Sequence, residues 1–94
     1  MSVSGGAPVA VVTGGARRLG RHLCTTLAAR GFDVVVLYRT AEADARSLTA
    51  EITTRGRHAR ALPVDVAVEA TVASVFQDIR AAEGRVDLLI NNVG

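Results

Sequence analysis

Val9-Ala10-Val11-Val12-Thr13-Gly14-Gly15-Ala16-Arg17-Arg18-Leu19-Gly20-Arg21 changes its periodicity half-way along. The first five residues form a short apolar run between Pro8 and Gly14, the pattern of a buried strand. Gly14-Gly15 interrupts it. From Arg18 the spacing is helical: Leu19, Leu23 and Leu27 recur at i, i+4 and i+8 and are expected to share one apolar face. Gly31 then supplies a helix-ending C′ residue. A strand, a glycine turn and a helix in this order leave free backbone N–H groups at the turn. The positive end of the helix macrodipole points the same way, so the turn favours an anion. Gly14 permits the tight turn and Gly20 lets the helix pack close to the strand.

Outward from this segment the alternation continues. Asp33–Tyr38 reads as a second β-branched strand. Thr40 offers an N-cap before Ala41, and Leu48 and Ile52 mark a more polar helix that Gly56 ends. Residues 59–66 read as a third strand. A third helix over about Glu69–Glu83 carries Val72, Val75, Phe76 and Ile79 on its apolar face and ends at Gly84. Residues 86–90 make a fourth strand. The order β-α-β-α-β-α-β predicts an α/β fold: a Rossmann-type, doubly wound parallel sheet, truncated, with right-handed crossovers and strand order 3-2-1-4. Pro63 cannot donate to a ladder, and the third strand is an edge in that order. Residues 1–8 are expected to be a flexible leader and residues 9–94 a partial dinucleotide-binding domain.

Composition narrows the function. The 94 residues carry 49% hydrophobic side chains and a net charge of +2, and every cationic side chain except the two His is Arg. The arginines are spread along the chain without stacking aromatics, so no nucleic-acid partner is expected. The densest run, Arg55, Arg57, His58 and Arg60, reads as a solvated connection. No apolar run is long enough to span a bilayer and no signal core opens the chain, which predicts no membrane partner and a cytoplasmic location. Cys24, the single cysteine, falls among helical leucines and reads as a core thiol, and no metal-ligand spacing occurs.

The end of the second strand indicates which anion binds. In such folds an acidic side chain there accepts a hydrogen bond from the ribose 2′-hydroxyl of NAD. This chain has Tyr38-Arg39-Thr40 instead. A guanidinium binds a 2′-phosphate bidentately, which points to NADP(H), and Arg17 can add a second contact. The alternative for Arg39 is a solvated loop residue.

These residues resemble the short-chain dehydrogenase/reductase family. Thr13, Gly14 and Gly20 match its Thr-Gly-x-x-x-Gly-x-Gly opening, with Arg18 in place of the middle glycine. That form is similar to the pteridine-reductase branch. Asp65-Val66 resembles the family's adenine-contacting pair, and Asn91-Asn92-Val93-Gly94 resembles its Asn-Asn-Ala-Gly. The resemblance implies a cofactor site made of Gly14, Arg17, Arg18, Leu19, Gly20, Tyr38, Arg39, Thr40, Asp65, Val66, Asn91, Asn92 and Gly94. A helix N-cap for Asp65 and a structural hydrogen-bonding role for Asn91 and Asn92 stand beside that reading.

The family's chemistry requires a Tyr-x-x-x-Lys pair. This chain has one Tyr, Tyr38, and no Lys, so no catalytic residue can be placed in it. The expectation is the cofactor-binding part of an NADP(H)-dependent oxidoreductase acting on a carbonyl, hydroxyl or imine, inactive alone. A small-molecule substrate is expected only where a C-terminal half completes the pocket, and a homo-oligomer only for a full-length form. The alternatives are a non-catalytic NADP(H)-binding module, one half of a split protein, or a gene remnant. Leu88, Leu89 and Ile90 would lie on an open edge, so the isolated chain is expected to be marginally stable or self-associating.

Overall fold

The computed structural model describes residues 7–14, 16–65 and 67–92. The elements alternate as β1 (Val9–Thr13), α1 (Arg18–Ala29), β2 (Asp33–Tyr38), α2 (Glu42–Thr54), β3 (Ala59–Pro63), α3 (Glu69–Glu83) and β4 (Leu88–Asn91). All pairings are parallel, and the sheet order is β3-β2-β1-β4, the expected 3-2-1-4. Residues 1–6 of the expected leader lie outside the described residues.

Parallel strands covered on both faces bury alternate side chains in opposite directions. Val12, Val34 and Val36 join Cys24, Ala28, Ala45, Leu48 and Ile52 in the core under α1 and α2. Val9, Val11, Val35 and Leu37 join Val64 and Ile79 under α3, with Val72, Val75 and Phe76 packed against them. The two layers make the sheet doubly wound.

The buried stripe of α1 differs from the expected one. Gly20, Cys24 and Ala28 face the sheet, whereas Leu19 is 61% exposed. Small side chains let the helix axis approach the strands, and the leucines one position earlier fall beside the contact. Burial pushes the Cys24 thiol up to about 12, a shift that Arg21 opposes.

Element ends differ slightly from expectation. β3 stops at Pro63, which lies on the outer edge opposite Tyr38; the missing N–H fits that place. β4 starts at Leu88 rather than at residue 86. The junction before α2 is Ala41, with no side-chain cap, so Thr40 is not the N-cap. Glycines with positive φ follow each helix: Gly31 at 96°, Gly56 at 91° and Gly84 at 82°.

The basic run at 55–60 is not merely solvated. Arg60 binds Glu83 through both carboxylate oxygens, at 2.8 and 3.0 Å, and reaches Asp78 at 3.0 Å. The Glu83 side chain is only 3% exposed. Arg57 donates to the Gly31 carbonyl at 2.6 Å. The run crosses both the end of α3 and the entry to β2, where carboxylates and a carbonyl await it.

Candidate functional site

The register aligns the carboxyl ends of the strands. Thr13 stands beside Leu37 on one side and Asn91 on the other, and Tyr38 stands beside Pro63. Ligands of open α/β sheets bind outside this edge, where the chain leaves successive strands in opposite directions.

In the turn after β1, Gly14, at φ +64°, donates its N–H to the Leu37 carbonyl at 2.9 Å. The N-cap of α1 is Arg17, which is extended and forms no side-chain cap bond, and no acidic residue lies in the helix's first turn. The orphan N–H groups and the positive helix pole therefore meet no protein carboxylate on their own helix. Arg18 begins the helix at φ +54°, the only non-glycine with positive φ among the described residues. This is the left-handed region that glycine enters freely and other residues enter at a cost. It also gives the physical reason for a glycine at this place in the Thr-Gly-x-x-x-Gly-x-Gly pattern.

Between this turn, the end of β2 and the loop after β3 lies a cleft of about 430 Å³. It gathers Gly14, Arg17, Tyr38, Arg39, Thr40 and Asp65 of the expected site, along with Thr13, Ala16, Leu37, Ala41, Val64 and Ala67. Arg39 and Thr40 are exposed, and among the described residues Arg39 has no ion-pair partner. Arg17 lies 3.7 Å through Nε from Asp44. Asp65 is not a helix cap: its Oδ1 accepts from the Ala67 N–H at 3.0 Å, and the N-cap of α3 is Val68. Its carboxylate thus closes an Asx turn at the floor of the loop.

Asn91 and Asn92 tie β4 to the turn. Thr13 Oγ1 donates to Asn91 Oδ1 at 2.9 Å and accepts from the Asn92 N–H at 2.9 Å. Asn92 Nδ2 donates to the Gly14 carbonyl at 3.3 Å. The hydrogen-bonding alternative considered for this pair therefore describes what both side chains do. Thr13 is the member that sequence reasoning missed as a site residue. Its signal in the sequence was its position as the last strand residue before the turn, and the structure leaves it only 7% exposed.

Of the other expected residues, Arg18, Leu19 and Gly20 sit at the start of α1 outside the cleft lining, with Leu19 exposed and Gly20 buried. Val66 and Gly94 lie outside the described residues. A second hollow of about 380 Å³ adjoins the cleft through Thr13, Leu37 and Val64 and continues to Val72, Phe76, Leu89 and Asn91. Leu89 is 52% exposed there. Among the described residues no group of His, Cys, Asp and Glu could hold a metal ion, and no helix is long and apolar enough to cross a membrane.

The sequence model of the short chain dehydrogenases matches residues 8–94. The 3-oxoacyl-(acyl-carrier-protein) reductase FabG of Escherichia coli is 38% identical over 86 residues, which cover 92% of this chain and 34% of that protein. Two solved structures superpose closely. A blue fluorescent protein from a metagenomic library, in complex with NADPH, is 38% identical with a TM-score of 0.87, over 93% of this chain and 36% of that one. The FolM alternative dihydrofolate reductase 1 from Brucella canis, complexed with NADP, is 26% identical with a TM-score of 0.85, over 93% and 35%. The chain spans about a third of the length of the curated relatives it matches.

Proposed function

The chain belongs to the short-chain dehydrogenase family, an oxidoreductase family, and on that premise we propose that its cleft holds NADP(H). The observation that carries this reading is the Arg39 guanidinium at the tip of β2, lining the cleft with Arg17 and Thr40 where an NAD site would present a carboxylate. The uncapped start of α1 suits the pyrophosphate: Gly14 lines the cleft at the turn, and Arg18, Leu19 and Gly20 form the first helical turn behind it. Arg17, Arg39 and Thr40 receive the 2′-phosphate, with Tyr38 beside them. Asp65 borders the adenine, and Val66, expected beside it, lies outside the described residues. Asn91 and Asn92 border the cofactor and have a structural task as well; Gly94, expected with them, lies outside the described residues. NADP and NADPH in the two solved neighbours support the same choice of cofactor.

The cofactor supplies hydride chemistry when bound; this chain's residues bind and orient it. With Tyr38 as the one tyrosine and no lysine, we assign the chain no catalytic residue. It is the nucleotide-binding part of a reductase of carbonyl or imine groups, and residues 9–94 are a partial domain. Within that class, Arg18 in the turn favours the pteridine-reductase-like branch.

Calorimetric titration tests the cofactor. Arg39→Asp is expected to weaken NADPH binding at least about tenfold, the scale of a lost charge-assisted bidentate contact, and to leave NADH nearly unchanged. Equal losses for both would mean that Arg39 acts through folding and would remove the argument for NADP(H).

A further inference from the structure

Two arginines of α1 and its entry turn face α2, and they are held differently. Arg21 is locked: it donates to the Asp44 carbonyl at 3.2 Å, to Ser47 Oγ at 3.3 Å and to Glu51 Oε1 at 3.1 Å. These bonds fix the spacing between α1 and the first turns of α2. Arg17 lines the cofactor cleft, and among the described residues its guanidinium pairs with the Asp44 carboxylate alone, at 3.7 Å, with both side chains more than half exposed. The other carboxylates of this face are taken: Glu42 pairs with Arg46 on its own helix, and Glu51 holds Arg21 and Arg55.

Resting on the NADP(H) reading above, we infer that Asp44 is a positioning and specificity-tuning residue that competes with the cofactor's 2′-phosphate for Arg17. The contact is long and solvent-screened, so a phosphate dianion displaces it readily. Until displaced, the carboxylate occupies the guanidinium that the 2′-phosphate needs. This competition opposes the 2′-phosphate and does not touch NADH. Asp44 therefore sets how strongly the site prefers NADPH, and how readily it lets it go.

The test is calorimetric titration of NADPH and NADH into the unaltered chain, Asp44→Asn, Arg17→Gln and the double variant, with Glu42→Gln as a control for charge on the same helical turn. Asp44→Asn removes one charge from an exposed side chain, and its folding is checked by circular dichroism. The expected result is NADPH affinity raised about threefold, the scale of an exposed ion pair. NADH affinity stays constant, the gain is lost in the Arg17→Gln background, and Glu42→Gln has a smaller effect. An unchanged or weakened NADPH affinity overturns the inference, as does a gain that persists without Arg17. If the unaltered chain binds NADPH no better than NADH, the cofactor reading fails first and the inference falls with it.

Discussion

Arg18 carries a cost that its neighbours do not. Its φ of +54° is the left-handed conformation, which disfavours a residue with a Cβ by about 1–2 kcal/mol. Arg18→Gly should therefore stabilise the chain by about 1 kcal/mol in urea unfolding, once the larger entropy of an unfolded glycine is subtracted. Loss of stability would mean that the Arg18 side chain contributes packing that outweighs the strain. The substitution itself was visible in the sequence, as an arginine at a glycine position; its conformation was not, because φ depends on the closed turn. Cys24 shows the same split. Its burial was legible from its helical neighbours, but the buried stripe was assigned one residue too early, to Leu19, Leu23 and Leu27. Hydrophobicity alone favours the larger side chains, whereas close approach to the sheet selects Gly20, Cys24 and Ala28. The Cys24 thiol, pushed up from 9.0 to about 12, is neutral when folded. A group whose pKa is raised on folding contributes stability that is fully present below its unfolded value and is lost as pH rises towards its folded value. Stability should therefore fall between pH 9.0 and about 12, and Cys24→Ala should flatten that slope in pH-dependent thermal unfolding. An identical slope in the variant would point to other groups.

At the level of elements, periodicity predicted the succession of strands and helices well because each element is short and a glycine closes each helix. Pro63 cannot donate to a ladder and so suits an edge strand, and β3 pairs only with β2 among the described residues. Interactions between distant segments were less legible. Arg60 and Glu83 are 23 residues apart, and nothing local in the 55–60 run shows that a buried carboxylate at the end of α3 is waiting for it. The Glu83 and Asp78 hydrogen bonds hold Arg60 further above its ordinary value, with Glu83 the larger influence. Glu83→Gln should cost about 2 kcal/mol, the scale of charged hydrogen bonds left half-made at a mostly buried site. Urea unfolding measures it, and a change below about 0.5 kcal/mol, ordinary for surface substitutions, would show that Asp78 compensates. The same contrast holds at the site. The glycine turn and Arg39 follow from local sequence, while the Thr13–Asn91–Asn92 latch joins residues 78 and 79 positions apart.

For the whole molecule, the sheet's two edges differ. β3 ends in proline, which discourages further pairing, whereas β4 carries Leu89 at 52% exposure beside an apolar hollow. An exposed apolar edge strand is a template for association. The isolated chain should therefore show concentration-dependent mass in sedimentation velocity, and Leu89→Lys should reduce it. A monomer at all concentrations would contradict this. Against this background the cleft is the feature with a defined chemistry: guanidinium groups, an uncapped helix start and an Asx-closed loop around one volume. Its position at the carboxyl edge was expected from the alternation of elements, and Gly14, Arg17, Tyr38, Arg39, Thr40 and Asp65 do meet there. If this cleft takes a 2′-phosphorylated dinucleotide, amide chemical-shift mapping with NADP will show it. Shifts are expected to concentrate at Gly14, Ala16 and Arg18, at Arg39 to Ala41, and at Asp65 and Ala67, with the Arg39 and Thr40 changes much smaller for NAD. Shifts confined to the Leu89 hollow, or equal patterns for the two dinucleotides, would contradict it.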